Sequence, residues 1–281
     1  MPPKHKTSPG RVRRTTAADW KPNKTALITG ASGGIGYDLA SVFAENGYNV
    51  VLVARTREKM LALANQAQQM FGVSAYIIEK DLAVPGAARE VHRELQRVGI
   101  EIDILVNNAG FGLLGAFGYS DREEELQMLQ LNTMTPVDLT KLFLPAMLLK
   151  GQGRILNVAS TAGFQPGPYM SNYYATKAYL VSFSIGLAEE VRERGITVSV
   201  LCPGPTPTGF RARAGIRRGM LGGLGGVDSR IVARAGFEGL MAGKLIIVPG
   251  ILNKLAVFAT RHAPLGLLSR IIARLQQKRM A

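Results

Sequence analysis

The chain is poor in the residues that several common catalytic chemistries require. Its 281 residues include one cysteine, Cys202, and three histidines, His5, His92 and His262. A single cysteine forms no internal disulfide, which is compatible with a reducing compartment. The histidines lie in the two end segments and on a polar helical segment. We therefore expect neither a hydrolase triad nor a metal site.

Long apolar runs are also missing. Glycine, proline or a charged residue interrupts the longest of them well before the roughly 18 residues that a membrane-spanning helix needs. The N-terminal stretch "MPPKHKTSPGRVRRTTAADW" is basic and has no apolar region, so we do not interpret it as a signal peptide. We expect a cytoplasmic protein.

Acidic residues are scarce at both ends of the chain. Residues 1–24 carry seven Lys or Arg against one Asp, and residues 211–281 carry 13 against two acidic residues. Residues 25–210 carry 14 basic against 17 acidic side chains, so the formal net charge of +14 comes from the ends. Such asymmetry favours contact with an anionic surface, either membrane or nucleic acid, although solvated ends would have the same composition.

Seven short runs rich in valine and isoleucine predict strands. They are "TALITG", "NVVLVA", "SAYIIE", "IDILVN", "GRILNVAS", "ITVSVL" and "KLIIVP". Because they do not alternate with polar residues, they are typical of strands that are covered on both faces. Helical patterns separate them, at 37–46, 57–71, 85–98, 123–149 and 171–194. Alternation of strand and helix predicts one α/β domain with a parallel sheet and right-handed crossovers.

The chain divides into three parts: a basic, flexible arm (1–23), the α/β domain (24–249) and a helical tail (250–281). Within the domain, residues 209–226 are rich in Gly and Arg, which predicts a mobile lid over a substrate pocket. In the tail, apolar residues recur at helical spacing beside a basic row at Arg270, Arg274 and Lys278. This pattern predicts a basic amphipathic helix.

The stretch "TALITGASGGIG" predicts a phosphate-binding turn. It is a strand that leads through Gly30, Gly34 and Gly36 into a helix, a context far more specific than a glycine triplet alone. Gly30 permits the tight turn, and the other two glycines let the backbone approach a pyrophosphate at the helix N-terminus. We therefore predict a dinucleotide site here, with Ser32 and Ile35 among its contacts.

No carboxylate stands where an NAD site would place one against the ribose. The second strand ends at Ala54 and is followed by Arg55, about 20 residues after the glycine turn. A guanidinium at this position can pair with a 2′-phosphate, which favours NADP(H) over NAD(H). The alternative is that Arg55 is a solvated loop residue. Asp81 and Leu82, just after the third strand, are expected to border the adenine.

The stretch "SNYYATKAYL" places two tyrosines one helical turn before a lysine. Lys177 lies four residues after Tyr173 and three after Tyr174, and both spacings make neighbours on a helix surface. An ammonium about 4 Å from a phenolate is worth roughly 4 kcal/mol at an effective dielectric of about 20. Lowering a tyrosine pKa from about 10 to about 7 requires about as much. Either tyrosine can thus serve as a general acid or base, and the spacing does not choose between them.

Taken together, these motifs resemble the short-chain dehydrogenase/reductase family. The chain also has "NNAG" at 107–110, Asn132 in "LNTMTP", Ser160 in "NVASTAG" and "PGPTPT" at 203–208. The motifs follow the family's order over about residues 24–208. The resemblance implies a Rossmann-type doubly wound parallel sheet of about seven strands with helices on both faces. It also selects Tyr173 as the acid/base, which leaves Tyr174 as a packing or pocket-wall residue.

The resemblance implies a role for each residue of the set. Tyr173 would exchange a proton with the substrate oxygen, while Lys177 would lower the pKa of Tyr173 and hold the nicotinamide ribose. Ser160 would hydrogen-bond the substrate oxygen, and Asn132 would order a water chain behind Lys177. Further cofactor contacts are expected at Asn108, Ala109, Gly110, Pro203, Gly204, Thr206 and Thr208.

The sequence thus predicts an NADP(H)-dependent oxidoreductase that interconverts a carbonyl and a secondary alcohol. The arginines of 209–226 (Arg211, Arg213, Arg217 and Arg218) suit an anionic substrate such as an acyl thioester, or they form a solvated rim. The tail suits a lipid-like carbonyl met at a membrane surface, or it packs on its own domain or on a second subunit. Two other functions stay open. One is a dinucleotide-binding sensor or scaffold, and the other is a nucleic-acid binder, which the lack of stacking aromatics at the ends disfavours. The resemblance also implies a dimer or tetramer.

Overall fold

In the computed structural model, which describes residues 20–216 and 226–280, seven parallel strands form one sheet. The strands are β1 (Thr25–Thr29), β2 (Asn49–Ala54), β3 (Ala75–Glu79), β4 (Ile104–Asn107), β5 (Gly153–Val158), β6 (Ile196–Leu201) and β7 (Ile246–Ile247). Their order across the sheet is β3-β2-β1-β4-β5-β6-β7. Each of the seven predicted runs contains one of these strands, which confirms the predicted fold class.

Helices pack around this sheet. They are α1 (Gly34–Glu45), α2 (Arg57–Phe71), α3 (Ala87–Val98), α4 (Arg122–Leu129), α5 (Thr135–Lys150), α6 (Ser171–Val191), α7 (Phe210–Arg213), α8 (Ser229–Met241), α9 (Ile251–His262) and α10 (Leu265–Met280). Short 3₁₀ turns occupy Phe117–Tyr119, Thr161–Phe164 and Arg192–Arg194. The predicted helix at 57–71 has the observed bounds, and most other predicted ends differ by one to three residues.

The two faces of the sheet build two separate hydrophobic layers. Successive side chains of a strand point to opposite faces. Accordingly, Ile28 and Leu52 join a core with residues of α1, α2 and α8, whereas Leu27 and Val51 join a core with residues of α3, α5 and α6. Because both faces are covered, the strands contain apolar residues at consecutive positions.

The chain reverses its direction of travel across the sheet at β1. This strand pairs with β2 on one side and with β4 on the other. The loops that follow β1 and β4 therefore separate and leave a crevice at the carboxyl edge of the sheet, where open α/β sheets bind their ligands. The glycine turn follows β1, and the "NNAG" turn begins at the end of β4.

A π-helical segment, Gln130–Met134, joins α4 to α5. The sequence predicts one uninterrupted helix here, and the two α-helices and the π segment together span that range. A π segment widens one turn and redirects the side chains on it, and such segments are frequent at functional sites. Asn132 lies in its centre and is fully buried.

The tail is helical, as the sequence predicts, but it forms two helices. Between α9 and α10, Pro264 follows Ala263, whose backbone is extended (φ −81°, ψ 141°). Proline lacks the N–H that would continue the first helix and disfavours a helical conformation of the residue before it. Among the described helices, none is both long and apolar enough to span a bilayer.

Residues 20–23, which the sequence analysis assigned to the arm, contact the domain. The Trp20 indole donates to Thr25 Oγ1 at 3.1 Å, and Asn49 Nδ2 donates to the Lys21 carbonyl at 2.8 Å. Residues 1–19, which make up the rest of the predicted arm, and residues 217–225, the centre of the predicted lid, lie outside the described residues.

Candidate active site

A cavity of about 1590 Å³ occupies the crevice at the carboxyl edge of the sheet. Of the predicted site residues, Asn132 lies behind the cavity wall and the others line it. From the first half of the chain these are Gly30, Ser32, Gly34, Ile35, Gly36, Arg55, Asp81, Leu82, Asn108, Ala109 and Gly110. From the second half they are Ser160, Tyr173, Lys177, Pro203, Gly204, Thr206 and Thr208. The structure thus brings the glycine turn after β1 and helix α6, which carries Tyr173, to one site.

The glycine turn leaves no room for side chains. Gly30 and Gly34 have φ values of 69° and 55°, in the left-handed region that favours glycine. A Cβ at position 36 would overlap the Gly30 carbonyl and the Asn108 side chain, and a Cβ at position 34 would lie 3.1 Å from Thr208. The start of α1 has no side-chain cap, so its backbone N–H groups face the cavity edge as an anion site.

Replacing Gly36 with alanine is therefore expected to separate α1 from the turn. Because the new Cβ would meet the Gly30 backbone as well as the Asn108 side chain, we expect a loss of about 1–3 kcal/mol in the free energy of unfolding. Dinucleotide affinity should fall at least about tenfold. Denaturant titration and fluorescence titration with NADPH measure the two effects.

Gly33→Ala is the matched control for stability. A Cβ at position 33 meets no heavy atom within 4 Å, and the backbone φ of 178° suits any residue. If Gly36→Ala were as stable as Gly33→Ala, the close packing at the start of α1 would not constrain the turn.

The end of the cavity beside β2 and β3 is lined by both basic and acidic side chains. The Arg55 guanidinium lies 3.8 Å from the Asp81 carboxylate, and both side chains are substantially exposed. Lys59, on the first turn of α2, and Lys80 also line this end, and Lys80 pairs with Glu90 at 2.6 Å. Lys59 was not among the predicted site residues. The one signal for it in the sequence is its place in the first turn of α2, close to Arg55.

Tyr173 lies half-buried in the cavity wall. Its ring lies 5.2 Å from the ring of Phe210 and 6.0 Å from that of Tyr174. Burial, which penalises the phenolate, raises the pKa of Tyr173 to about 12, although a hydrogen bond with Ser160 acts in the opposite direction. The phenol therefore keeps its proton at neutral pH.

Lys177 is buried, one turn after Tyr173 on α6. Its Nζ donates to the Val158 carbonyl at 2.9 Å and lies 5.8 Å from the centroid of the Tyr173 ring. Burial lowers the pKa of Lys177 to about 8, partly offset by the nearby Cys202. That Lys177 lowers the pKa of Tyr173, as the resemblance implies, stays a prediction. Burial is the main cause of the raised pKa in the structure.

Ser160 joins two loops at the site. It follows β5 and caps the 3₁₀ turn that begins at Thr161, since its Oγ accepts from the Ala162 N–H at 3.1 Å. The hydroxyl also lies 3.4 Å from the Pro203 carbonyl, which belongs to the loop after β6. Ser160 therefore has the structural contact of a turn cap, and it also acts to lower the pKa of the neighbouring Tyr173.

Asn132 links three elements behind the cavity. Its Nδ2 donates to the Phe111 carbonyl at 2.9 Å and to Thr176 Oγ1 at 3.1 Å, and its Oδ1 accepts from the Phe111 N–H at 3.1 Å. Thr176 immediately precedes Lys177. The side chain of Asn132 thus fixes the loop after β4 against α6 at the position of the lysine.

The tail supplies cavity wall that the sequence analysis did not foresee. The contributing residues are Asn253 and Ala256 from α9, and Ile272, Leu275, Gln276, Lys278 and Arg279 from α10. Gln276 is buried, and its Nε2 donates to Tyr174 Oη at 3.1 Å. These partners lie 102 positions apart. No local pattern could have linked them.

Phe210, Arg211 and Arg213 of the predicted lid line the cavity on the same side as Tyr173. The guanidinium of Arg213 lies 4.8 Å from the Phe111 ring and 3.8 Å from the Glu124 carboxylate. The other two predicted arginines, Arg217 and Arg218, fall outside the residues that the structure describes.

The comparison with family models gives one match, to the short chain dehydrogenase model, over residues 24–218. The chain belongs to the short-chain dehydrogenase family. This confirms the resemblance stated from the motifs, and the match covers the whole crevice except the wall formed by the tail.

Curated relatives of this chain include proteins from distant organisms. The chain is 37% identical over 186 residues to the uncharacterized oxidoreductase YvrD of Bacillus subtilis (strain 168), covering 66% of this chain and 69% of that protein. It is 33% identical over 188 residues to the very-long-chain 3-oxoacyl-CoA reductase of Anas platyrhynchos, covering 63% of this chain and 58% of that protein. The matched region thus spans well under the full length of either relative.

Solved structures resemble the dehydrogenase over most of its length. A short-chain dehydrogenase from Sphingobium yanoikuyae, in complex with NADPH, superposes with a TM-score of 0.76 at 33% identity, covering 87% of this chain and 94% of that one. A family member from Burkholderia phymatum, in complex with NAD, gives 0.74 at 25% identity, covering 85% and 92%. The residues of this chain fit such a dinucleotide, because the start of α1, which has no side-chain cap, lines the cavity at Gly34, Ile35 and Gly36.

Proposed function

We propose that this protein is an NADP(H)-dependent oxidoreductase that interconverts a carbonyl group and a secondary alcohol. The observation that carries the proposal is that Ser160, Tyr173 and Lys177 line one cavity together with the glycine turn. A bound nicotinamide would supply the hydride. The protein would supply the orientation of the substrate and the proton.

In the reductive direction, Tyr173 acts as the proton donor. Its raised pKa keeps the phenol protonated at neutral pH, so the hydroxyl is available to a carbonyl oxygen in the crevice. Ser160 donates a second hydrogen bond to the same oxygen, which stabilises the negative charge that develops there. With both hydroxyls on the oxygen, the carbonyl carbon is held toward the nicotinamide side of the cavity.

Lys177 stabilises the tyrosinate that forms when the proton leaves. With a pKa of about 8, its ammonium is charged at neutral pH, and in a buried site its attraction to a phenolate is stronger than in water. Lys177 also binds the nicotinamide ribose in this proposal. Asn132 positions the lysine through Thr176 and orders water behind it, by which Tyr173 is reprotonated.

Arg55 determines the preference for NADP(H) in this proposal. Its guanidinium and the Lys59 ammonium line the end of the cavity next to β2, where the 2′-phosphate of the adenosine ribose would lie. A charge-assisted hydrogen bond of this kind contributes about 1.5–3 kcal/mol. Asp81 and Leu82 border the adenine, and Asp81 also orients Arg55.

Replacing Arg55 with serine should therefore weaken NADPH binding by about 10- to 100-fold and leave NADH binding nearly unchanged. Calorimetric titration with each dinucleotide measures both affinities. Arg57→Ser is the matched control, since Arg57 is exposed two residues further on and does not line the cavity. Equal losses of affinity for NADPH and NADH would contradict the assignment of the phosphate site.

The substrate is proposed to be a hydrophobic carbonyl compound or an acyl thioester. Apolar side chains from the lid and from α10, Phe210, Ile272 and Leu275, line the same side of the cavity as Tyr174. Arg211, Arg213, Lys278 and Arg279 bring positive charge to that side and suit an anionic carrier. NADPH consumption with ketones, aldehydes and 3-oxoacyl thioesters, with Tyr173→Phe as the inactive reference, tests this.

The alternative function, a dinucleotide-binding sensor that performs no chemistry, predicts NADPH binding without turnover on any carbonyl of that panel. The presence of Ser160, Tyr173, Lys177 and Asn132 at one site favours the enzyme. The buried, unpaired Cys202 supports a reducing, cytoplasmic location as part of the proposal.

A homo-oligomer belongs to the same proposal. Large apolar side chains are exposed on α4, α5 and α6 and on the π segment, namely Leu126, Met134, Leu149, Tyr179 and Ile185. Helices of this kind commonly pair across a two-fold axis. Light scattering at several protein concentrations would determine the number of subunits.

A further inference from the structure

Helix α9 turns its more apolar face to solvent. Ile251, Leu252, Leu255 and Phe258 are between 59 and 74% exposed. The opposite face carries the less exposed residues Asn253, Val257 and Thr260, and two of these three are polar. A surface helix of a globular protein ordinarily has the reverse arrangement, and an exposed apolar face of this size indicates a binding surface.

Helix α10 adds a second exposed apolar row. Leu267, Ile271 and Leu275 follow each other at intervals of four residues and are 38 to 56% exposed, while Ile272 and Gln276 face inward. A basic row, Arg270, Arg274 and Lys278, runs along the same exposed side of the helix. Apolar and cationic rows side by side are typical of helices that lie in a lipid interface.

The charge on these two helices is all of one sign. Residues 251–280 contain six Lys or Arg and no Asp or Glu. Among the described residues, none of the six forms an ion pair, whereas Arg55, Arg192 and Arg230 elsewhere do. The positive charge of the tail is therefore available to an anionic partner.

The exposed apolar row adjoins the substrate side of the cavity. Leu275 lines the cavity and is also partly exposed, and Lys278, one turn further on, does the same. Asn253 and Ala256 on the inner face of α9 line the cavity as well. One side of each tail helix thus faces the cavity while the other faces solvent.

We propose that the exposed face of α9 and α10, called here the tail surface, docks onto an anionic lipid bilayer. Docking places the cavity edge at Leu275 against the membrane, so that an apolar carbonyl compound dissolved in the bilayer reaches Tyr173. The statement about substrate access rests on the proposed function, whereas the docking does not.

Charge argues for lipid over a second copy of the chain. A two-fold symmetric interface brings the same patch of two subunits together. On the tail surface this would place the six cations of one subunit opposite the same six cations of the other, and like charges facing each other oppose association. A bilayer with anionic headgroups accepts both the cations and the apolar side chains.

Sedimentation with vesicles tests the docking on the full chain without cofactor or substrate. We expect binding to vesicles of phosphatidylcholine with phosphatidylglycerol at about a third, and at least about tenfold weaker binding to phosphatidylcholine alone. The binding should also weaken with added salt, because surface charges are screened. Comparable binding to both vesicle types would overturn the proposal.

Two double variants separate the charge from the apolar contact. Arg270→Glu with Arg274→Glu, and Leu255→Ser with Phe258→Ser, should each weaken binding at least about tenfold. The matched charge control is Arg93→Glu with Arg97→Glu, an exposed pair at the same spacing on α3, and the apolar control is Met70→Ser with Val84→Ser. Controls that weaken binding as strongly as the tail variants would overturn the assignment to the tail surface.

Depth of insertion gives a second measurement. Trp20 is the single tryptophan, so Phe258→Trp in a Trp20→Phe background reports on α9 alone. Brominated lipid should quench this emission, which would shift to shorter wavelength on binding. If vesicles left it unchanged while the protein dimerised through the same residues, the tail surface would be a self-association interface and the proposal would be wrong.

Kinetics test the access route separately. In the Arg270 and Arg274 variant, turnover of a short, water-soluble ketone should stay unchanged, while turnover of a long-chain ketone presented in anionic vesicles should fall at least about tenfold. Equal rates with the vesicle-borne ketone would overturn the access route. A protein that binds vesicles but reduces no carbonyl would refute the proposed function and leave the docking intact.

Discussion

Replacing Tyr173 with phenylalanine is expected to lower kcat for carbonyl reduction by about 10³-fold. The change removes one hydroxyl, and a positioned general acid typically contributes 10²- to 10⁴-fold in rate. The ring contacts with Phe210 and Tyr174 survive, so the fold and the cavity shape should not change. Steady-state NADPH oxidation gives the rate, and fluorescence titration should show an NADPH affinity within about threefold of the parent chain.

Tyr174→Phe is the matched control for this experiment. It also removes a tyrosine hydroxyl from the same cavity, but that hydroxyl accepts from Gln276 on α10 rather than bonding with Ser160. We expect a change in KM and a kcat within about tenfold of the parent, because the group acts on binding rather than on the proton. If Tyr174→Phe lost the larger part of kcat and Tyr173→Phe did not, the two roles would be reversed.

Asn132→Ala is expected to lower the free energy of unfolding by about 3 kcal/mol or more, the largest loss among the variants considered. The side chain is fully buried, and its removal leaves the N–H and carbonyl of Phe111 without their side-chain partner. An unpaired buried polar group costs about 1–3 kcal/mol, and the lost volume adds to this. Urea denaturation followed by circular dichroism measures the free energy of unfolding.

Asn172→Ala provides the comparison, since Asn172 is only half-buried and makes its side-chain hydrogen bond with Glu125 near the surface. Its loss should stay below about 1 kcal/mol. At a temperature where Asn132→Ala is fully folded, its kcat should still be reduced, because Lys177 is no longer fixed through Thr176. Unchanged kcat at that temperature would restrict Asn132 to a structural role.

The strands could be predicted because a parallel strand that is buried on both faces has apolar residues at consecutive positions. Leu27 and Ile28 point to opposite layers and are both apolar, so the run itself indicates the burial. The glycine turn could be predicted for a related reason, since Gly30 and Gly34 adopt backbone conformations that favour glycine. Both features depend on residues that are close together in the sequence.

What the sequence did not reveal depends on distant residues. Gln276 meets Tyr174 across 102 positions, and the tail forms cavity wall only because α9 and α10 fold back over the carboxyl edge of the sheet. The raised pKa of Tyr173 has the same origin, since its main cause is burial by surrounding elements of the fold. Helical periodicity predicted an amphipathic tail. Which face of each tail helix meets solvent is visible only in the tertiary structure.

The position of α10 has a consequence for how this protein can diversify. The residues proposed to perform the reaction lie on α6, in the loop after β5 and in the π segment, whereas Ile272, Leu275 and Gln276 come from α10. Substitutions in α10 would change the cavity wall without disturbing the centre of the sheet. The range of accepted molecules could therefore change through one helix while the proposed catalytic residues stay the same.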